Sequence, residues 1–315
     1  MPEPVIRTEH LSRAFGPVKA VDDLSLEVHA GIIFGFLGPN GAGKTTTIHL
    51  LLGLLQPTGG KCSVFGFDSR TEAHQIRARS GSLLEFAGLY ERMSAEDNLD
   101  FYGRINHMPL AQRRARSKEL LTHLDLWTRR KEPVGRWSRG MKQKLAVARA
   151  LFHRPPLVFL DEPTAGFDPV AAAAFRDDLA RVAAHEGVTV FLNTHNLTEA
   201  EKLCAQVGVI RQGKLLAVGS PDELRGRRGG SQAEIVGSGF NERMLALLRA
   251  RPEVAGVELQ GDHLTIVLRG TNEGENKIAP LVSLIVQSGG EIEEVRRGKA
   301  SLEDVFLTLM EEEVK

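Results

Sequence analysis

The chain has 315 residues, enough for one large or two ordinary domains, and its 42% hydrophobic and 25% charged residues are globular composition. Basic and acidic side chains balance at 40 each, which disfavours a nucleic-acid polyanion as a general partner. Cys62 and Cys204 lie far apart without metal spacing, no stretch approaches a bilayer span, and Met1-Pro2-Glu3-Pro4 lacks the basic start of a secretion signal. These features lead us to expect a soluble, cytoplasmic chain in a reducing compartment.

Strand character begins at Val5–Thr8 and at Leu24–Val28, where apolar and polar residues alternate. Ile32–Leu37 is a short apolar run of the buried-strand kind. It leads into Gly38-Pro39-Asn40-Gly41-Ala42-Gly43-Lys44-Thr45-Thr46, a G-x-x-x-x-G-K-[ST] phosphate loop. Gly38, Gly41 and Gly43 let main-chain amides curl around phosphate oxygens. Lys44 supplies a point charge for the terminal phosphates, and the Thr45 hydroxyl is placed to ligate Mg²⁺. Helical spacing follows from Thr46 to Leu52, so a helix dipole would point its positive end at the phosphate.

Residues 86–150 read as a mostly helical insertion, with Pro109 starting a helix that runs from Leu110 to Trp127. Ser138 is placed to cap a helix through Lys144 to Leu151. Strand character returns at Leu157–Leu160 and Val188–Leu192, separated by an alanine-rich helix from Ala171 to Ala184. Strand–helix–strand alternation predicts a parallel sheet covered by helices. At the end of the Leu157–Leu160 strand, Asp161 can hold Mg²⁺ through water, and Glu162, pointing elsewhere, can act as general base on an attacking water.

Residues 226–231 form a Gly- and Arg-rich linker, read as a solvated hinge with anionic lipid contact as the alternative. Beyond it the order strand (Ala233–Val236), helix (Phe240–Ala250), strands (Val254–Leu259, Leu264–Leu268), helix (Glu275–Gln287) and strand (Ile292–Val295) predicts a ferredoxin-like βαββαβ domain over 232–315. A final amphipathic helix, Leu302 to Met310, carries Leu302, Val305, Phe306 and Leu309 on one stripe.

The motifs resemble those of the nucleotide-binding subunits of ABC (ATP-binding cassette) transporters, in family order across roughly residues 4–225 of an expected nucleotide-binding domain over 1–225. Trp137-Ser138-Arg139-Gly140-Met141-Lys142-Gln143 stands at the place of the L-S-G-G-Q signature, Ala165-Gly166-Phe167-Asp168 at the D-loop, and His195 at the switch histidine. Phe15 matches the aromatic that stacks on adenine, although Phe15 alone also reads as a core residue. Glu85 stands where the family's Q-loop carries Gln; a carboxylate can ligate Mg²⁺ but cannot donate as an amide does. Arg139 and Met141 also depart from the signature, whereas Ser138 and Gly140 are retained.

The resemblance implies an α/β P-loop NTPase cassette with a parallel-rich sheet that binds and hydrolyses Mg·ATP. Two copies would sandwich two ATP molecules, with Ser138 and Gly140 of one facing the phosphate loop of the other. Glu162, His195 and Glu85 would serve hydrolysis. Phe15, Gly38, Asn40, Gly41, Gly43, Lys44, Thr45, Thr46, Ser138, Gly140 and Asp168 would bind nucleotide, and Thr45, Asp161 and Glu85 the metal. The S-x-G-M-K-Q variant and the ending Ser301–Phe306 resemble the drug and antibiotic exporter branch, whose partner is an ABC-2-type permease in the cell membrane. The expected partners are therefore that permease and a second copy of the chain, with no nucleic acid, and the expected location is the inner face of the membrane. A soluble cassette ATPase acting on ribosomes or DNA is the alternative; one cassette, no sustained heptads and balanced charge count against it. The C-terminal domain reads as a ligand sensor or as dimer packing, and the Leu302–Leu309 stripe favours packing.

Overall fold

Buried Ile6, Leu11, Val21, Leu24, Leu26 and Val28 build two long antiparallel strands, β1 (Ile6–Phe15) and β2 (Val18–Val28). The computed structural model describes residues 3–228, 232–268, 278–298, 301–303 and 305–306, and the chain divides into two units, Met1–Val218 and Gly219–Lys315. β1 is longer than its alternation suggests because register shifts after Thr8, Leu11 and Arg13 interrupt the two-residue period. Next come β3 (Ile33–Leu37), α1 (Lys44–Leu51), β4 (Gly59–Val64) and β5 (Phe67–Asp68). The first sheet has the order β2-β1-β4-β5 and is antiparallel at every pairing.

The chain continues through α2 (Ala73–Arg79), β6 (Ser80–Leu83), α3 (Ala95–Ile105), α4 (Leu110–His123), two 3-10 turns (Trp127–Arg129 and Val134–Arg136) and α5 (Arg139–Leu151). α4 stops short of Trp127 because Leu124 closes it and Asp125 turns into a left-handed conformation at φ +58°. Then follow β7 (Leu157–Asp161), α6 (Pro169–Glu186), β8 (Thr189–Thr194), α7 (Leu197–Leu203), β9 (Gln206–Arg211) and β10 (Lys214–Gly219). The second sheet is ordered β10-β9-β3-β8-β7-β6, with β9, β3, β8, β7 and β6 parallel.

Every residue of β7 and β8 is buried, which is why they read as continuous apolar runs. Phe191 stands beside Phe34, Phe36 and Phe159, with ring centroids 5.4–5.7 Å apart. Each of these rings contributes about 2 kcal/mol of burial. Their strands are in register at the carboxyl ends: Leu37 pairs with Thr194, and Asp161 with Asn193. The segments after β3, β7 and β8 thus leave the sheet at one edge, where α/β sheets place their ligands.

In the second unit, Arg225–Arg228, read from sequence as the approach to and start of a linker, belong to α8 (Pro221–Arg228); residues 229–231 lie outside the described residues. β11 (Gln232–Ser238), α9 (Glu242–Arg249), β12 (Val254–Gln260), β13 (His263–Leu268), α10 (Ile278–Gln287) and β14 (Glu291–Gly298) follow. The antiparallel order β12-β13-β11-β14 is the ferredoxin-like arrangement. Ile235, Leu264, Ile266, Met244, Leu248, Leu281 and Ile285 form its core. Leu302, Glu303, Val305 and Phe306 are helical, with Leu302 and Val305 buried. Leu309 of the expected stripe, Met310 at the end of that helix, and 275–277 of the expected helix before β14 lie outside the described residues. Among the described residues no helix is long and apolar enough to cross a membrane.

Candidate functional site

Gly43 adopts φ +104° and forms the N-terminus of α1, with no side-chain cap and no acid in the first turn. The free amides and the positive dipole end therefore face the loop. Gly38 and Gly43 have no room for a side chain: a Cβ on either would collide with a carbonyl oxygen, of Ile210 and of Ala20. Lys44 Nζ, almost fully buried, donates to the Gly38 carbonyl at 2.8 Å and the Pro39 carbonyl at 3.3 Å. The ammonium thus sits within the loop's own curl. Asn40 and Gly41 are exposed at its crest, and Thr46 is half-buried below it.

Two short chains of contacts radiate from the loop. Thr45 Oγ1 donates to Asp161 Oδ2 at 2.7 Å, and Asn193 Nδ2 donates to Asp161 Oδ1 at 2.9 Å. Asp161 is buried, and both of its oxygens are fixed by neutral donors. A hydroxyl and a carboxylate so close form a hard-oxygen pair of the kind Mg²⁺ uses beside substrate phosphates. In the second chain, Lys44 Nζ lies 3.3 Å from Glu162 Oε1, an ion pair without hydrogen-bond geometry. The other Glu162 oxygen is 2.7 Å from His195 Nδ1. Glu162 has φ +48°, a strained conformation for a residue with a Cβ, and its N–H is anchored to the Asn193 carbonyl at 2.9 Å. The adjacent acids serve different partners, Asp161 meeting Thr45 and Asn193 and Glu162 meeting Lys44 and His195.

The described contacts join Lys44, Thr45, Asp161, Glu162 and His195 to one another and, through Lys44, to Gly38 of the loop; they do not join Phe15, Glu85, Ser138, Gly140 or Asp168 to this cluster. Phe15 is 46% exposed at the end of β1, with the Arg13 guanidinium 4.5 Å from its ring centroid; it is not a core residue. Glu85 is exposed just beyond β6 and makes no hydrogen bond or ion pair among the described residues. Ser138 Oγ accepts from Met141 N at 3.3 Å and caps α5, which begins at Arg139. Gly140 has space around it, the nearest atoms to an added Cβ being on Phe167 at 3.8 Å. Asp168 caps α6 by accepting from the Val170 and Ala171 amides at 3.0 and 2.9 Å. Arg139 lies against Gly166, where an added Cβ would strike its guanidinium.

Sequence reasoning missed Asn193 and Glu199. Asn193 is a buried amide inside an apolar strand, and such a group needs a partner; that was its signal. Glu199, an acid in the first turn of α7, carries no local signal that sets it apart.

A phosphate loop, two strand-end acids and a histidine at the edge of a parallel sheet define a nucleotide-hydrolysing P-loop cassette. The ABC transporter family profile matches residues 21–165. Over 98% of this chain and 96% of the relative, the sequence is 35% identical to the daunorubicin resistance ATP-binding protein DrrA3 of Streptomyces coeruleorubidus. It is 35% identical to the bacitracin transport ATP-binding protein BcrA of Bacillus licheniformis, covering 97% of each. Among solved structures, cbiO1 of Clostridium perfringens, part of the ABC transporter complex cbiONQ, superposes with a TM-score of 0.66 at 25% identity, over 71% of this chain and 91% of that one. The chain belongs to the ATP-binding proteins of ABC transporters. Its activity is ATP binding and hydrolysis coupled to transport.

Proposed function

We propose that this chain energises export of antibiotic- or drug-class compounds through a separate ABC-2-type permease, at the inner face of the cell membrane. The observation that carries this reading is similarity along the whole chain, C-terminal unit included, to daunorubicin resistance and bacitracin transport proteins.

In the proposed mechanism two copies enclose two ATP molecules. Lys44 and the α1 amides bind the phosphates, and the exposed Phe15 ring offers a face for adenine. Thr45, Asp161 and Glu85 would hold Mg²⁺, which would supply charge neutralisation to the bound phosphates. Glu162 takes the proton of the attacking water, and His195, held by Glu162, steadies the γ-phosphate. Among the described residues nothing crowds position 140, and close approach from outside would account for a glycine there. A second copy's phosphate, docking on the Ser138-capped end of α5, supplies that approach. Tighter ATP binding in the closed dimer than in the open one is what drives the permease.

The test is drug tolerance. Expression with its permease in a sensitive host is expected to raise tolerance to an anthracycline or to bacitracin, and Glu162→Gln is expected to abolish the gain. No gain for any compound of these classes, together with recovery of the tagged chain on ribosomes rather than on membranes, overturns the export reading.

A further inference from the structure

Glu199 is a buried acid in the first turn of α7, only 4% exposed. Its Oε2 accepts from Thr164 Oγ1 at 3.0 Å and from Thr194 Oγ1 at 3.3 Å. Thr164 lies two residues after Glu162, in a turn closed by Ala165 N to Glu162 O at 3.1 Å and Phe167 N to Thr164 O at 3.0 Å. Thr194 immediately precedes His195, and its hydroxyl also accepts from Asn196 N at 3.0 Å. One carboxylate oxygen therefore joins the segment carrying Glu162 to the segment carrying His195. Glu199 also helps to line a cavity of about 460 Å³, shared with Thr164, Gly166, Arg176, His195 and Lys202. With open space on that side, apolar packing alone does not fix the two segments.

We propose that Glu199 is a positioning residue for ATP hydrolysis, holding the segments that carry Glu162 and His195 in one fixed register. A residue selected for stability would be apolar here, as its fully buried neighbour Ala200 is. A buried carboxylate facing two neutral hydroxyls costs desolvation that those hydroxyls only partly return. Burial pushes its pKa up; the threonine hydroxyls and Arg176 oppose that shift, and nearby Glu162 adds to it. What the carboxylate provides is direction: two acceptor bonds that set where the Glu162–His195 pair of 2.7 Å stands relative to the phosphate loop.

The test uses the full chain, measuring ATP turnover, affinity for a fluorescent ATP analogue and melting temperature. In Glu199→Ala, kcat is expected to fall about tenfold to a hundredfold, as misplacement of catalytic groups costs, while nucleotide affinity changes by less than about twofold. Glu199→Gln keeps an oxygen that accepts both hydroxyls and is expected to restore most of the rate. Thr164→Val and Thr194→Val should each lower kcat in part, and Thr164→Val should add nothing in the Glu199→Ala background. Should Glu199→Ala fail to fold, the two threonine variants and Glu199→Gln carry the same test. Wild-type turnover in Glu199→Ala or in both threonine variants overturns the inference. A parallel loss of affinity, rate and melting temperature that Gln does not restore also overturns it, in favour of a packing role. The inference rests on Glu162 and His195 acting as proposed: undiminished turnover in Glu162→Gln defeats that reading, whereas undiminished turnover in Glu199→Ala alone defeats only this one.

Discussion

Thr45 and Asp161, 116 residues apart in the chain, are joined by a hydrogen bond of 2.7 Å from Oγ1 to Oδ2. The bond ties the first turn of α1 to the end of β7, and Asn193 at the end of β8 holds the other Asp161 oxygen. The site's geometry at this point is set by three elements rather than by the loop alone. Asn193 touches the carboxylate that would hold the metal. Its replacement by Ala should raise the Mg²⁺ concentration needed for half-maximal turnover about tenfold, the usual effect of losing an orienting partner. A Mg²⁺ titration of ATPase activity identical to that of the wild type would show that Asp161 needs no such support.

Glu162 and Lys44 are expected to separate binding from chemistry. Glu162→Gln should lower kcat about a hundredfold or more while ATP is retained, because the amide cannot take the proton. Lys44→Ala should instead lose affinity for a fluorescent ATP analogue, because the buried ammonium that meets the terminal phosphates is gone. Unchanged turnover in the first variant, or unchanged binding in the second, removes the assigned role.

Arg116 is 2% exposed and makes paired bonds of 2.6 and 2.8 Å to Glu186, while donating to the Leu151 and Phe152 carbonyls at 2.8 and 3.3 Å. It thus connects α4 to the ends of α5 and α6. Arg116→Ala leaves the Glu186 side chain, 5% exposed, with Arg154 at 3.7 Å as its one remaining cationic partner among the described residues. Chemical denaturation should report a loss of about 3 kcal/mol, the lower end for breaking a buried pair. A loss under about 1 kcal/mol, typical of an exposed pair, would contradict this account.

Asp100 accepts from Arg113 Nε at 2.7 Å and Arg104 Nε at 2.8 Å. Partial burial pushes its pKa up, but the two guanidinium hydrogen bonds and charges outweigh this and hold it below the usual aspartate range. A depressed folded-state pKa contributes stability that is fully present above the unfolded value of about 4 and is lost as pH falls through the lower folded value. Urea midpoints of Asp100→Asn should therefore lie below wild type at neutral pH, and the gap should close only below about pH 4. A gap that stays constant into that range would exclude the linkage.

Burial pushes the Cys62 thiol up to about 11 and the Cys204 thiol up to about 12. Neither forms thiolate at neutral pH in the folded chain, so an aromatic disulfide reagent should react with both only after denaturation. Prompt reaction of the native protein would place one of them in an open environment.

Local pattern was enough to locate the phosphate loop, the acids at the end of β7 and the βαββαβ order of the second unit; the histidine after β8 was marked only by the order of the family's motifs. Each of these is written in contiguous residues: glycines where a backbone must turn, apolar runs where a strand is buried on both faces, and helical or two-residue spacing elsewhere. The β2-β1-β4-β5 sheet was only partly legible, because bulges break the alternation of β1. The end of α4 was misplaced because a left-handed Asp125 carries no periodic signal. What the tertiary structure decided was which atoms meet. Placing β8 between β3 and β7 brings Asn193 to Asp161, and the turn at Glu162 sends that carboxylate to Lys44 and His195. Seating α7 against both segments turns an ordinary-looking helix acid, Glu199, into their common acceptor. Such hydrogen bonds require alignment within a few tenths of an ångström between residues distant in the chain, and strand order and packing provide that alignment where sequence spacing does not.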